Sequence, residues 1–198
     1  MNWYASKRAI VARLDGVVER LAAAGVAPDT VTLAALPVAV AGGICIAVSP
    51  EVPIALVLVP AAAGVRLFLN LIDGALARAT GRGHPRGELL NEVGDRLADI
   101  ALIAPVAFVP GAHGETILLG LCGALVASFI GLASRAAGGQ RLYGGILSKP
   151  GRMALLAVFA IAVLIAGPGA WAPFGPLLLL GTSLTALERL VTALRALP

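Results

Sequence analysis

Six apolar stretches, each near the roughly 20 residues that a helix needs to cross the hydrocarbon of a bilayer, fill most of a 198-residue chain. Nothing else in the sequence constrains its fold as strongly. The spans are expected at about Thr32–Ser49, Pro53–Ile72, Leu89–Val109, Thr116–Leu132, Met153–Ala166 and Phe174–Leu190. Only 13% of the residues are charged, against about 25% in an ordinary soluble domain, which excludes a soluble globular enzyme. The fold class is therefore all-α and polytopic, one membrane domain over residues 1–198, with residues 28–198 forming a six-helix bundle. Cys45 and Cys122 both lie inside apolar stretches, so neither a disulfide framework nor a thiolate metal site is expected.

Charge in the connecting segments sets the orientation. Ser49–Pro53, Pro110–Glu115 and Gly167–Pro173 contain no Lys or Arg. The alternate segments carry Arg78, Arg82 and Arg86 after the second span and Arg135, Arg141, Lys149 and Arg152 after the fourth. Basic loops face the cytoplasm, which puts both termini on that side. The first 25 residues lack the uninterrupted apolar core and cleavage site of a signal peptide. Ile10, Val11, Leu14, Val17, Val18 and Leu21 instead recur at helical spacing between Lys7, Arg8, Arg13 and Arg20. Residues 1–27 are expected to form an amphipathic helix on the inner leaflet, the alternative being a cytoplasmic helix packed on the bundle.

Ionisable groups at membrane depth are costly, so where they stand is informative. They concentrate in two spans. At about 100° per residue, Arg66, Asn70, Asp73, Gly74 and Ala77 share one face of the second. Glu88, Asn91, Asp95 and Asp99 form a stripe on the third. Two polar stripes joined by a short basic loop suit phosphate chemistry with a divalent cation: oxygen ligands from two helices, Gly where a ligand approaches the backbone, Arg for phosphate. On spacing alone, mutual pairing that stabilises the bundle, or a transport path, fits as well.

The segment Asn70-x2-Asp73-Gly74-x2-Ala77-Arg78-x8-Gly87-x3-Asn91-x3-Asp95 resembles the CDP-alcohol phosphatidyltransferase signature, D-x2-D-G-x2-A-R-x8-G-x3-D-x3-D, with every spacing kept and Asn at the first and third aspartates. Pro28-Asp29-Thr30-Val31-Thr32 is similar to the P-N-x-x-T that opens the first span in that family, with Asp for Asn. The resemblance covers nearly the whole chain. It implies an enzyme of phospholipid biosynthesis: a homodimer in the bacterial inner membrane, its cavity open to the cytoplasm, moving a phosphatidyl group from CDP-diacylglycerol to a small alcohol with release of CMP. The reverse arrangement, a CDP-linked head group and diacylglycerol, is the alternative within the family.

Carried over by position, Asp73 is a metal ligand beside the donor, and Gly74, Ala77, Arg78 and Gly87 form the nucleotide pocket. Asp95 is the general base for the acceptor hydroxyl. The resemblance makes Asn70, Asp73, Asn91 and Asp95 the ligands of Mg²⁺ or Mn²⁺. Two amides in place of two carboxylates weaken that set, because Asn offers only a neutral carbonyl oxygen. The departure leaves two readings, a working variant with one tight metal, helped by Glu88 or Glu92, and a pseudoenzyme that still binds lipid or nucleotide.

Other residues carry less. Arg135, Lys149 and Arg152 are candidates for binding the acceptor's polar group or the diphosphate, or else serve as positive-inside anchors. Arg66 either pairs with an acidic neighbour or meets substrate. His84 and His113 are solitary and on opposite sides of the membrane, so no shared metal site is expected of them. Trp3, Tyr4 and Trp171 fit interfacial anchors. No nucleic-acid motif is present.

Overall fold

The computed structural model describes residues 14–197, which contain helices and no strands. Helix α1 covers residues 14–23, followed by α2 (Pro28–Ala47), α3 (Leu58–Thr80), α4 (Pro85–Ile103), α5 (Gly114–Ala136), α6 (Lys149–Ala166) and α7 (Phe174–Ala196). Short 3₁₀ turns, Pro53–Val57, Ala104–Phe108 and Pro168–Trp171, lead into α3, follow α4 and precede α7. Among the described residues five helical segments are long and apolar enough to cross a membrane: Pro28–Ala47, Pro53–Thr80, Gly114–Ala136, Lys149–Ala166 and Pro168–Ala196. Helix α4 is absent from that set because Glu88, Glu92, Asp95, Arg96 and Asp99 lie along it.

Most helices outrun the expected spans at the charged end of the bundle. Apolar content marks only the stretch matched to hydrocarbon, whereas a helix continues until a local signal stops it. Pro28 in the first turn starts α2, and Gly81, with φ 64°, supplies the left-handed residue that ends α3. In the other direction, α4 ends at Ile103 within the expected third span, and Pro105, which has no N–H to donate to the helix, stands in the 3₁₀ turn that follows.

Two packed groups organise the bundle: α2 lies against α3 and α4, α5 lies against α7, and α3 contacts α6. Small residues set the approach. A Cβ on Gly43 would collide with the backbone carbonyl of Ala101 on α4, and one on Gly123 would sit 2.6 Å from Thr182 Oγ1 on α7. Close contact through glycine is the usual solution where lipid offers no hydrophobic drive between helices. A buried core of Ile46, Leu56, Leu102, Ile103, Leu156, Trp171 and Phe174 fills the uncharged end. Trp171 departs from the interfacial role expected of it: it is 1% exposed, with its ring 5.5 Å from that of Phe174, because the 3₁₀ turn that it closes folds it inward.

Of the amphipathic N-terminal pattern, Lys7, Arg8, Ile10, Val11 and Arg13 lie outside the described residues, as do Trp3 and Tyr4. Within them, Val18 of α1 is buried against Val31, Ile72, Ala75 and Leu76 of α2 and α3. Helix α1 therefore packs on the charged end of the bundle, ending in paired bonds from Gly25 N–H to Ala22 and from Val26 N–H to Leu21.

Candidate active site

The polar stripes of α3 and α4 face each other as their spacing requires. Asn70 Nδ2 donates to Asn91 Oδ1 at 3.0 Å and lies 3.4 Å from Asp95 Oδ1. Asp73, buried near the end of α3, accepts from Thr32 Oγ1 at 2.8 Å, which ties the first turns of α2 to the motif. The motif's four ligand positions thus cluster at one end of the bundle.

Beside them opens a cavity of about 380 Å³ lined by Asp73, Gly74, Ala77, Gly87 and Asn91, with Pro28, Asp29, Thr32 and the Arg82–Pro85 loop closing its mouth. Four of the five nucleotide-pocket and donor-side positions assigned by resemblance, Asp73, Gly74, Ala77 and Gly87, line it. The fifth, Arg78, is exposed, with its guanidinium close to Gly74. Gly87 is required by space: a Cβ there would lie 2.6 Å from Asp29 Oδ1. A second recess of about 450 Å³, lined by Ala47, Ile100, Ala101, Ala104, Pro105, Phe108 and Val109, sits at the other end of α4 and contains no charged side chain.

Below the cavity runs a buried ionic chain. Arg66, fully buried, pairs ionically with Asp99 Oδ1 at 2.7 Å and donates to the Asp95 carbonyl at 2.8 Å and to Met153 Sδ at 3.2 Å. Arg152, at the start of α6, reaches Asp99 Oδ2 at 2.6 Å and the Leu147 carbonyl at 3.1 Å. The Lys149 ammonium bonds Asp95 Oδ1. Arg66 thus pairs with an acidic neighbour, the first of the two roles weighed for it. Two of the three proposed substrate cations, Lys149 and Arg152, join the motif cluster. Arg135 instead stands at the rim on Glu88, and Arg141 bonds Glu92, with Arg96 2.7 Å from the same carboxylate. Glu88, which also lines the cavity, and Glu92 thus each face arginines.

Among the described residues no group of three or more His, Cys, Asp or Glu side chains converges as a metal site. The donor set is mixed: the Asp73 carboxylate and the Asn91 amide face the cavity with Asn70 beside them. The carboxylate and amide oxygens of Asp73 and Asn91 are of the hard class that divalent Mg²⁺ or Mn²⁺ accepts.

His84 is the site residue that sequence reasoning missed. It caps α4, accepting the Gly87 N–H at 3.0 Å through Nδ1, while Nε2 lies 3.2 Å from Asp29 Oδ2. The ring thereby joins the entrance of α2 to that of α4 across the cavity mouth. Its place immediately before Pro85 was a visible capping signal. Its partner Asp29 was not. Arg189 of α7 donates to the carbonyls of Ala127, Tyr143 and Gly144 at 2.7, 2.9 and 2.8 Å, holding the loop that leads to Lys149.

No family model matches the chain. It is 33% identical over 140 residues to inner membrane protein YnbA of Escherichia coli, covering 71% of this chain and 69% of the relative. It is 30% identical over 139 residues to archaetidylinositol phosphate synthase of Aeropyrum pernix, covering 69% and 68%. Its fold is similar to crystal structures of phosphatidylinositol phosphate synthase from Mycobacterium tuberculosis. The one with CDP-DAG bound gives a TM-score of 0.67 at 27% identity, with 90% of this chain and 92% of that one covered. The one in complex with manganese and citrate gives 0.68 at 26% identity, covering 90% and 88%.

Proposed function

The chain belongs to the CDP-alcohol phosphatidyltransferase family, and on that premise we propose that it transfers a phosphatidyl group from CDP-diacylglycerol to an alcohol, releasing CMP. The observation that carries this reading is the cavity between the stripes of α3 and α4, lined by Asp73, Gly74, Ala77 and Gly87. Small residues on both walls admit a nucleotide edge-on, and Arg78 beside Gly74 meets phosphate.

In this reading the acceptor hydroxyl attacks the lipid-side phosphorus of the diphosphate. A P–O bond to the acceptor forms, the P–O bond to CMP breaks, and the hydroxyl proton passes to Asp95. Lys149 holds the Asp95 carboxylate in place, while Arg152, Arg135 and Lys149 bias the α6 side of the site toward an anionic or strongly polar acceptor. A divalent cation held at Asp73, where that carboxylate faces the cavity, would supply charge neutralisation on the diphosphate.

We further read the chain as six spans, α4 being carried across by its apolar back and its ion pairs, with both termini and the site on the cytoplasmic side of a bacterial inner membrane. Helix α1 continues an amphipathic segment on that face. Assembly as a homodimer and the whole chain acting as one domain belong to the same proposal. A CDP-linked head group as donor is the less favoured direction, since the similar solved structure holds CDP-DAG.

The test is incubation of purified protein with labelled CDP-diacylglycerol, Mg²⁺ and a panel of polyols and polyol phosphates. Metal-dependent CMP release with at least one acceptor is expected. No release with any acceptor refutes turnover and leaves a binding protein of the same fold, the outcome that Asn70 and Asn91 would then explain.

A further inference from the structure

Three cations and two carboxylates already occupy the inner half of the polar cluster: Arg66, Lys149 and Arg152 against Asp95 and Asp99. All five side chains are at least four-fifths buried. A further divalent cation placed beside Asp95 would meet the Lys149 ammonium already on that carboxylate and the Arg66 guanidinium 4.0 Å from it, and like charges repel.

Local hydrogen bonding points the same way. Asp95 Oδ1 receives the Lys149 ammonium, faces Asn70 Nδ2 at 3.4 Å, and lies 4.0 Å from Arg66 Nη2. Asn70 Nδ2 is also bonded to Asn91 Oδ1. The amide orientation is fixed by these contacts, because turning Asn70 over would set its oxygen against two other oxygens. Asp95 Oδ1 thus faces a cation and an amide N–H. Asp73 is in a different position: its oxygens accept from the Thr32 hydroxyl and from the Gly74 N–H, both neutral, no cationic side chain pairs with it among the described residues, and it opens on the cavity.

We infer that the Lys149 ammonium is a fixed cation standing where a second metal ion would neutralise Asp95, so that this site takes one divalent cation, on the Asp73 side. The inference rests on the transferase reading for its purpose, though not for its test. Lys149 is then a positioning residue: it holds Asp95 toward the acceptor hydroxyl, a task that a metal ligated by four carboxylates would otherwise perform. Asn70 and Asn91 fit the same exchange, since two fewer carboxylate charges match the charge of one fewer divalent cation.

The experiment is titration of the purified full chain in detergent micelles with Mn²⁺ alone, free Mn²⁺ being read from its EPR signal. One bound Mn²⁺ per chain is expected for the unmodified protein. Lys149→Gln removes a neighbouring positive charge and should tighten Mn²⁺ binding roughly tenfold even after solvent screening. Lys149→Arg should bind as the unmodified protein does. Any stoichiometry other than one in the unmodified chain, or Mn²⁺ affinity unchanged or weakened in Lys149→Gln, overturns the inference; the stoichiometry needs no variant to fold. Turnover of CDP-diacylglycerol by the same preparation separates the two readings. Absence of CMP release with the expected Mn²⁺ pattern defeats the transferase reading alone, and CMP release with two bound Mn²⁺ defeats the role of Lys149 alone.

Discussion

Asp99→Asn isolates the energetic centre of the bundle. Asp99 is 2% exposed and stands between two buried guanidiniums, Oδ1 at 2.7 Å from Arg66 and Oδ2 at 2.6 Å from Arg152. Asparagine has the same shape, but whichever way its amide turns, the NH₂ group meets one guanidinium donor to donor. One buried cation then keeps a neutral acceptor, and the other loses its partner. Breaking a buried pair from one side costs about 3–5 kcal/mol, because the remaining charge stays desolvated. Glu88→Gln is the internal comparison. Its pair with Arg135 is about half exposed on both sides, and such a pair is worth about 1 kcal/mol or less. Unfolding in mixed micelles, driven by SDS and followed by far-UV circular dichroism, measures both. Asp99→Asn should lower the unfolding free energy by several times the effect of Glu88→Gln. Equal, small effects would mean that Arg66 and Arg152 are hydrated, and the buried chain beneath the cavity would have to be abandoned.

Topology, packing and the donor pocket give three further expectations. In a background lacking Cys45 and Cys122, a cysteine at Ala112 should react with an impermeant reagent from outside and one at Gly83 should not; the reverse pattern inverts the orientation. Gly43→Ala drives a Cβ into the Ala101 carbonyl, which backbone cannot easily vacate, so stability should fall by about 1–3 kcal/mol; an unchanged unfolding curve would show that α2 and α4 do not touch there. Gly87→Ala narrows the cavity mouth against Asp29 and should raise the KM for CDP-diacylglycerol on the order of tenfold, with stability changed little; a normal KM would remove Gly87 from the donor pocket.

The helical architecture and the facing of the two stripes were legible because they follow from local periodicity. Arg66, Asn70 and Asp73 share a face by helix geometry alone, and so do Asn91, Asp95 and Asp99. What could not be read was which member of one stripe meets which partner elsewhere. Lys149 is 54 residues from Asp95, and Arg152 is 53 from Asp99; only the packing of α6 against α3 decides that these cations enter the cluster while Arg135 stays at the rim. His84 failed for the opposite reason. Its capping role is local, but assigning it no partner overlooked Asp29, which arrives from α2. Trp171 was misplaced because an aromatic in an uncharged outer loop has the same composition whether it faces lipid or folds onto Phe174.

Direct titration of the purified protein with CDP, in the presence and absence of Mg²⁺, bears most immediately on the donor site between α3 and α4. The expected result is saturable binding that Mg²⁺ tightens and that Asp73→Ala abolishes. Failure to bind CDP under either condition, or binding that ignores both Mg²⁺ and the loss of Asp73, would contradict it.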